Sequence, residues 1–209
     1  MRLPLLVPLL LTLTACHAKF KKYAPTLGSV KVQVLTTGGP FVELGKVDNS
    51  NGSLVGGIVN VVQTVKSADL VPRIEAAVQV PQVNGALQDG LITTLGSGPP
   101  FGSAPDAAPL LQLEVESYGL YVPYLGAPGQ FTYTALATVY TGDGKRIYHH
   151  RLTCSTGVGD PSTAAVVLGT VNNVRQIDKM TDPEINQAFV DTARWCGQLF
   201  VTQMRKHAG

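Results

Sequence analysis

Paired carboxylates, four histidines and three cysteines are the residues of this chain most able to do chemistry. Glu114 and Glu116 stand two apart in a run where Leu111, Leu113 and Val115 alternate with Gln112, Glu114 and Glu116. On a strand the two carboxylates share a face, roughly 7 Å apart by strand rise. Glycosidases place an acid and its partner at such separations, but two glutamates on a solvent-facing strand are the commoner meaning of the pattern. His149 and His150 are adjacent, so a strand sends them to opposite faces and away from a shared metal. His17 and His207 lie near the ends of the chain. Gly142-Asp143-Gly144-Lys145 shares letters with phosphate loops but lacks the Gly-x-x-x-x-Gly-Lys-Ser/Thr spacing. Gly52-Ser53 and Gly96-Ser97 lack the Gly-x-Ser-x-Gly of a nucleophile elbow. No catalytic residue, metal site or cofactor is expected.

A second feature is aromatic. Tyr118, Tyr121, Tyr124, Phe131 and Tyr133 crowd one strand-turn-strand region, with Pro123 and Pro128 between them. Tyrosine offers a large apolar body and a polar tip, so these five are the candidate binding surface. A packed turn is the competing meaning.

The first residues follow secretory logic. Met1 and Arg2 form a short positive region, and an apolar run to Leu13 follows, interrupted by Pro4, Pro8 and Thr12. It is far short of the ~20 apolar residues that span a bilayer. The run closes on Leu13-Thr14-Ala15-Cys16, which resembles the lipobox of bacterial lipoproteins. That resemblance implies a cleaved signal peptide at 1–15 and a diacylglyceryl group on the Cys16 thiol. It also implies acylation, such as palmitate, on the new amino terminus. An ordinary signal cut after Ala18 is the competing reading. Two or three long chains hold firmly, since each buried methylene contributes roughly 0.8 kcal/mol. His17, rather than Asp, after the cysteine resembles the signal for delivery to the outer membrane, facing the periplasm. Lys19-Phe20-Lys21-Lys22-Tyr23 then either touches anionic headgroups, at about 1 kcal/mol per basic residue, or is a solvated tether.

Composition bounds the rest. Charged residues are 14% of the chain, the formal net charge is +2, and Gly and Pro number 22 and 14. That excludes a broad basic face for nucleic acid and an acidic solvating tail, and it fits an ordered, turn-rich domain. With Cys16 lipidated, Cys154 and Cys196 remain, and an even remainder in an oxidising compartment predicts a disulfide.

The elements that must position these residues follow from periodicity. Residues 16–28 read as a lipidated tether and 29–209 as a single domain. Val30, Val32 and Val34 mark a strand, and residues 41–47 a second. The apolar, glycine-bearing run 54–65 is core or an interaction segment. A helix opens at Asp69, breaks at Pro81 and resumes with Val83, Leu87, Leu91 and Leu95 on one face, and Gly96 stands at its C′ position. Residues 96–109 read as a surface loop. Phe131, Tyr133, Ala135, Ala137 and Val139 alternate with polar or small residues, and an Asp-Gly turn returns the chain through 146–154 as a hairpin. Residues 162–174 read as helix or loop. Asp182-Pro183 opens a terminal helix with Asp as N-cap, and Ile185, Ala188, Phe189, Thr192, Trp195, Cys196 and Leu199 share its face. The expected fold is α+β, a small antiparallel meander with helices on one face.

This order of elements loosely resembles auxiliary lipoproteins of phospholipid-transport ABC systems and lipoproteins that assist envelope assembly or secretion. Past Cys16 no motif carries the likeness, so no functional residue is transferred. The expectation is a membrane-anchored, non-enzymatic envelope factor with a protein partner or lipid ligand. A lipid-anchored hydrolase and a self-assembling or pore component are the alternatives.

Overall fold

The computed structural model describes residues 18–44, 69–96, 98, 101–122, 130–155 and 180–209. The cleavage site and Cys16, the runs 54–65 and 162–174, and Tyr124 lie outside the described residues.

The fold is α+β. Its centre is the meander of β4 (Leu110–Val122), β5 (Gln130–Tyr140) and β6 (Arg146–Ser155), paired antiparallel throughout. The β5–β6 turn forms where the Asp-Gly pair predicts it. Gly144 adopts φ +80°, which a side chain would strain, and the Thr141 and Gly144 amides donate to Lys145 O and Thr141 O at 3.0 and 2.9 Å.

Two N-terminal strands lie end to end along the free edge of β4. Strand β1 (Ser29–Thr36) pairs with Leu110 through Val115, and β2 (Pro40–Leu44) with Tyr118 through Val122. Both run parallel to β4, so the expected antiparallel sheet is in fact mixed. Parallel neighbours require a crossover, and the chain between β2 and β4 carries helices. The junction is tight. The amides of Thr37 and Gly38 both donate to Val115 O, at 3.0 and 3.1 Å. A Cβ on Gly38 would lie 1.5 Å from Glu116 O, so only glycine fits. Glu116 is also the residue skipped in the β4–β5 pairing, a bulge between Val115 and Ser117. Strand β3 (Gly102–Ser103) pairs with β1 on its other side, giving the order β3-β1-β4-β5-β6. Phe101, expected in a surface loop, is core.

Four helices are described. Helix α1 covers residues 18–23 and passes into a 3-10 turn at Ala24–Thr26. Helix α2 covers 69–77, a break at 78–79 follows, and α3 is Val80–Leu95 with Pro81 in its first turn. Helix α4 is Asp182–Ala208. Its N-cap is Thr181, one residue earlier than expected, because Glu184 reaches back to accept from Thr181 N and Oγ1 at 2.7 and 2.9 Å. Gly96 closes α3 in right-handed geometry, φ −63°, rather than with the left-handed turn expected of a C′ glycine. The carbonyls at that end are met from outside. Arg205 of α4 donates to Thr94 O and Gly98 O at 2.8 and 2.9 Å. At the other end of α3, Gln79 N donates to Asn186 Oδ1 of α4 at 2.8 Å. Helix α4 therefore runs parallel to α3 and holds both its ends.

The two helices cross closely. A Cβ on Gly90 would sit 2.1 Å from Arg194 O, and one on Gly197 2.4 Å from Leu87 O. Helix α4 also covers the inner face of the meander. Cys154 of β6 and Cys196 of α4, both buried, form a disulfide with Cα atoms 5.6 Å apart. A loop of 42 residues contributes about 4 kcal/mol in the chain-entropy model. The sequence leads one to expect a tether at 16–28, yet its described part is packed into the domain. Phe20 is wholly buried, its ring 4.4 Å from Tyr148 and 5.9 Å from Phe101, and Ala24 and Leu27 are buried beside it.

Candidate functional site

The aromatic surface expected at the β4–β5 region is core. Tyr118, Phe131 and Tyr133 are at most 4% exposed. The reason is the inner face of the meander, on which all three alternate, and the side chain α4 lays over it. Phe189 meets Tyr118, Phe131 and Tyr133 edge-on at 5.7, 4.7 and 6.1 Å. The Tyr133 hydroxyl donates to Phe189 O at 2.8 Å. Burial pushes the phenols of Tyr118 and Tyr133 above their ordinary range. Tyr121 falls by alternation on the opposite face and is half-buried. The four described residues do not form one surface.

The other candidates are likewise engaged in structure. Glu116 is bound bidentately by Arg151, at 2.6 and 2.9 Å, across the outer face of the sheet. That hydrogen bonding holds its carboxyl below the usual range, the wrong direction for a general acid. Glu114, on the same face, accepts from Gln112 Nε2 at 2.5 Å. His149 and His150 point to opposite faces, as their adjacency predicts. His149 Nδ1 lies 3.0 Å from Thr138 Oγ1 on the outer face. His150 turns inward, where its ring meets that of His207 edge-on at 4.9 Å. Tyr148 Oη and His207 Nδ1 are 2.8 Å apart. His207, set aside in sequence as terminal, is thus brought against β6 by α4. Among the described residues no three His, Cys, Asp or Glu gather as a metal site, and no helix is long and apolar enough to cross a membrane.

What the fold does assemble is a basic end. The α1 lysines, the β5–β6 turn and the last turn of α4 converge there. Lys19 Nζ donates to Arg146 O. Lys21 Nζ donates to Gly209 O at 2.7 Å. Lys145 Nζ lies 3.1 Å from Tyr23 Oη and 4.9 Å from the centre of its ring, and Lys22 Nζ lies 5.7 Å from the same centre. The Lys145 ammonium lowers the Tyr23 phenol, chiefly through that hydrogen bond. Lys206 is exposed three residues before Gly209. Asp143 in the turn is an acid at this end, and Asp106 is another, two residues from Ala108, which packs against Gly142. Each basic run is visible in the sequence. Their meeting is not, because it depends on α4 running parallel to α3 and ending beside the β5–β6 turn.

No family model matches the chain, and neither does any curated protein. Among solved structures the chain is similar to the hypothetical protein CT253 from Chlamydia trachomatis. The likeness covers 86% of this chain and 98% of that one, at 9% identity and a TM-score of 0.36. It is too loose to carry a functional inference.

Proposed function

We propose that the protein is a lipid-anchored envelope lipoprotein, held by Cys16 and acting through protein or lipid contacts rather than catalysis. One observation carries this reading. The described residues begin at 18, two past Cys16, and Phe20 is wholly buried in the core. A lipid on Cys16 would therefore hold this end of the domain directly at the bilayer, instead of on a long leash. The lipobox-like Leu13-Thr14-Ala15-Cys16 supplies the attachment chemistry, and delivery to the outer membrane, facing the periplasm, belongs to the same proposal. The non-catalytic part is supported by the engagement of Glu116 with Arg151, Glu114 with Gln112 and His149 with Thr138.

Complementation of a deletion strain separates this reading from a hydrolase. One variant carries Cys16→Ala behind a conventionally cleaved signal, and the other carries Glu114→Gln, Glu116→Gln and His149→Ala. The expected result is that the first fails and the second restores function. The opposite pattern would move a soluble enzyme ahead.

A further inference from the structure

We propose that the basic end formed by Lys19, Lys21, Lys22, Lys145, Arg146 and Lys206 is a docking surface for the anionic headgroups of the bilayer to which the protein is anchored. The inference rests on the lipid-anchor reading for its biological setting, though not for the binding it predicts.

Three observations carry it. The first is charge. Four lysines, Lys19, Lys21, Lys22 and Lys145, meet through contacts with Arg146 O, Tyr23 and the Gly209 carboxyl oxygen; Arg146 follows Lys145 in sequence and the exposed Lys206 lies three residues before Gly209, with Asp143 and Asp106 the acids nearby. Like charges repel, so such a cluster persists at a cost unless an anion faces it. The second is position. The cluster includes the first described turn of the chain, two to six residues past the proposed lipid site. At most about 10–20 Å of chain separates Cys16 from these lysines, so a lipid on Cys16 keeps their ammonium groups within one to a few Debye lengths (~8 Å each) of the headgroups. The third is preorganisation. The backbone of α1 is fixed by Phe20, and Lys19, Lys21 and Lys145 are each held by a hydrogen bond. An ammonium carries three donors, so a single bond of this kind orients the group and leaves donors for a phosphate oxygen. The Tyr23 ring between Lys22 and Lys145 has the amphipathic character of side chains at headgroup level.

The test uses the mature chain 16–209 with Cys16→Ala, which holds every described residue and carries no lipid, in flotation with vesicles. The account expects binding to phosphatidylcholine–phosphatidylglycerol vesicles at low salt, none to phosphatidylcholine alone, and loss of binding as salt rises. Each basic residue near an anionic surface contributes about fivefold in partitioning. Lys22→Gln with Lys206→Gln, both exposed side chains, should therefore weaken binding about 25-fold. Arg151→Gln with Arg194→Gln removes the same net charge from the outer sheet face and the middle of α4, and should change it less than about twofold. No binding to the anionic vesicles would overturn the proposal, as would equal binding to neutral ones or equal loss from both pairs. Circular dichroism melts of the variants exclude unfolding as the cause of a loss. Because this chain is unacylated, its behaviour is independent of whether Cys16 is modified in cells, which mass measurement decides separately.

Discussion

At the scale of single residues, side chains that no motif singles out hold the structure, and those singled out for chemistry are spent on packing. Glu184 is an example of the first kind. It accepts from both Thr181 N and Oγ1, and the backbone hydrogen bond is the largest reason its carboxyl lies below the usual value. A carboxyl whose folded value is depressed adds stability that is fully present above its unfolded value, about 4.3. That contribution is lost as pH falls through the folded value. Glu184→Gln should therefore lower the melting temperature near neutral pH and shrink the loss of stability on acidification below about pH 5. Melts across a pH series check this, and an unchanged acid slope would contradict it. The aromatic residues are the second kind. The alternation of Phe131 and Tyr133 with Thr132 and Thr134 is plain in the sequence and shows that the aromatics share a face. Which face α4 covers is not local information. A surface and a core strand read alike when both aromatic and threonine positions favour strands.

At the scale of elements, legibility follows contact distance along the chain. The β5–β6 hairpin and the break before Pro81 depend on neighbours a few residues away, and both are found as the pattern predicts. The face of α4 is found in part: Ile185, Ala188, Phe189, Thr192 and Cys196 are buried, whereas Trp195 and Leu199 are only partly buried and the stripe runs on through Phe200 and Met204. Strand direction is not encoded by alternation. Strands β1 and β2 carry the same signal whether they lie parallel or antiparallel to β4, so the mixed sheet was hidden. The caps shifted for a related reason. Arg205 supplies the end of α3 from over 100 positions away, removing the need for a left-handed Gly96. Glycines in the helices divide by what they face. Gly85 on α3 is exposed with nothing within 4 Å of a built Cβ, whereas Gly197 faces the backbone of Leu87. Gly85→Ala should stabilise by about 0.5–1 kcal/mol through helix propensity. Gly197→Ala should destabilise by about 1–3 kcal/mol or more through overpacking. Chemical denaturation of the two variants measures both, and effects of the same sign would contradict the close crossing of α3 and α4.

At the scale of the whole molecule, the proposed membrane-facing end and the far end are set by α4. Its 27 residues span roughly 40 Å. With its C-terminal turn at the bilayer, Thr181 and the ends of β2 and β4 stand that far from it. The outer face of the sheet, carrying Gln112, Glu114, Arg151 and the threonines of β5, then stands beside the long axis. The disulfide belongs to this scale as well, since it fixes β6 to the middle of α4 and so keeps the turn of the hairpin beside the last turn of the helix.

The proposed lipid-anchored orientation hangs on the modification of Cys16, and intact-mass spectrometry of protein extracted from membranes tests it most directly. The account predicts a chain beginning at residue 16 and heavier than its sequence by a diacylglyceryl group with or without a further acyl chain, and predicts that Cys16→Ala abolishes that mass. An unmodified chain, or one cut at another position and recovered from the soluble fraction, would contradict it.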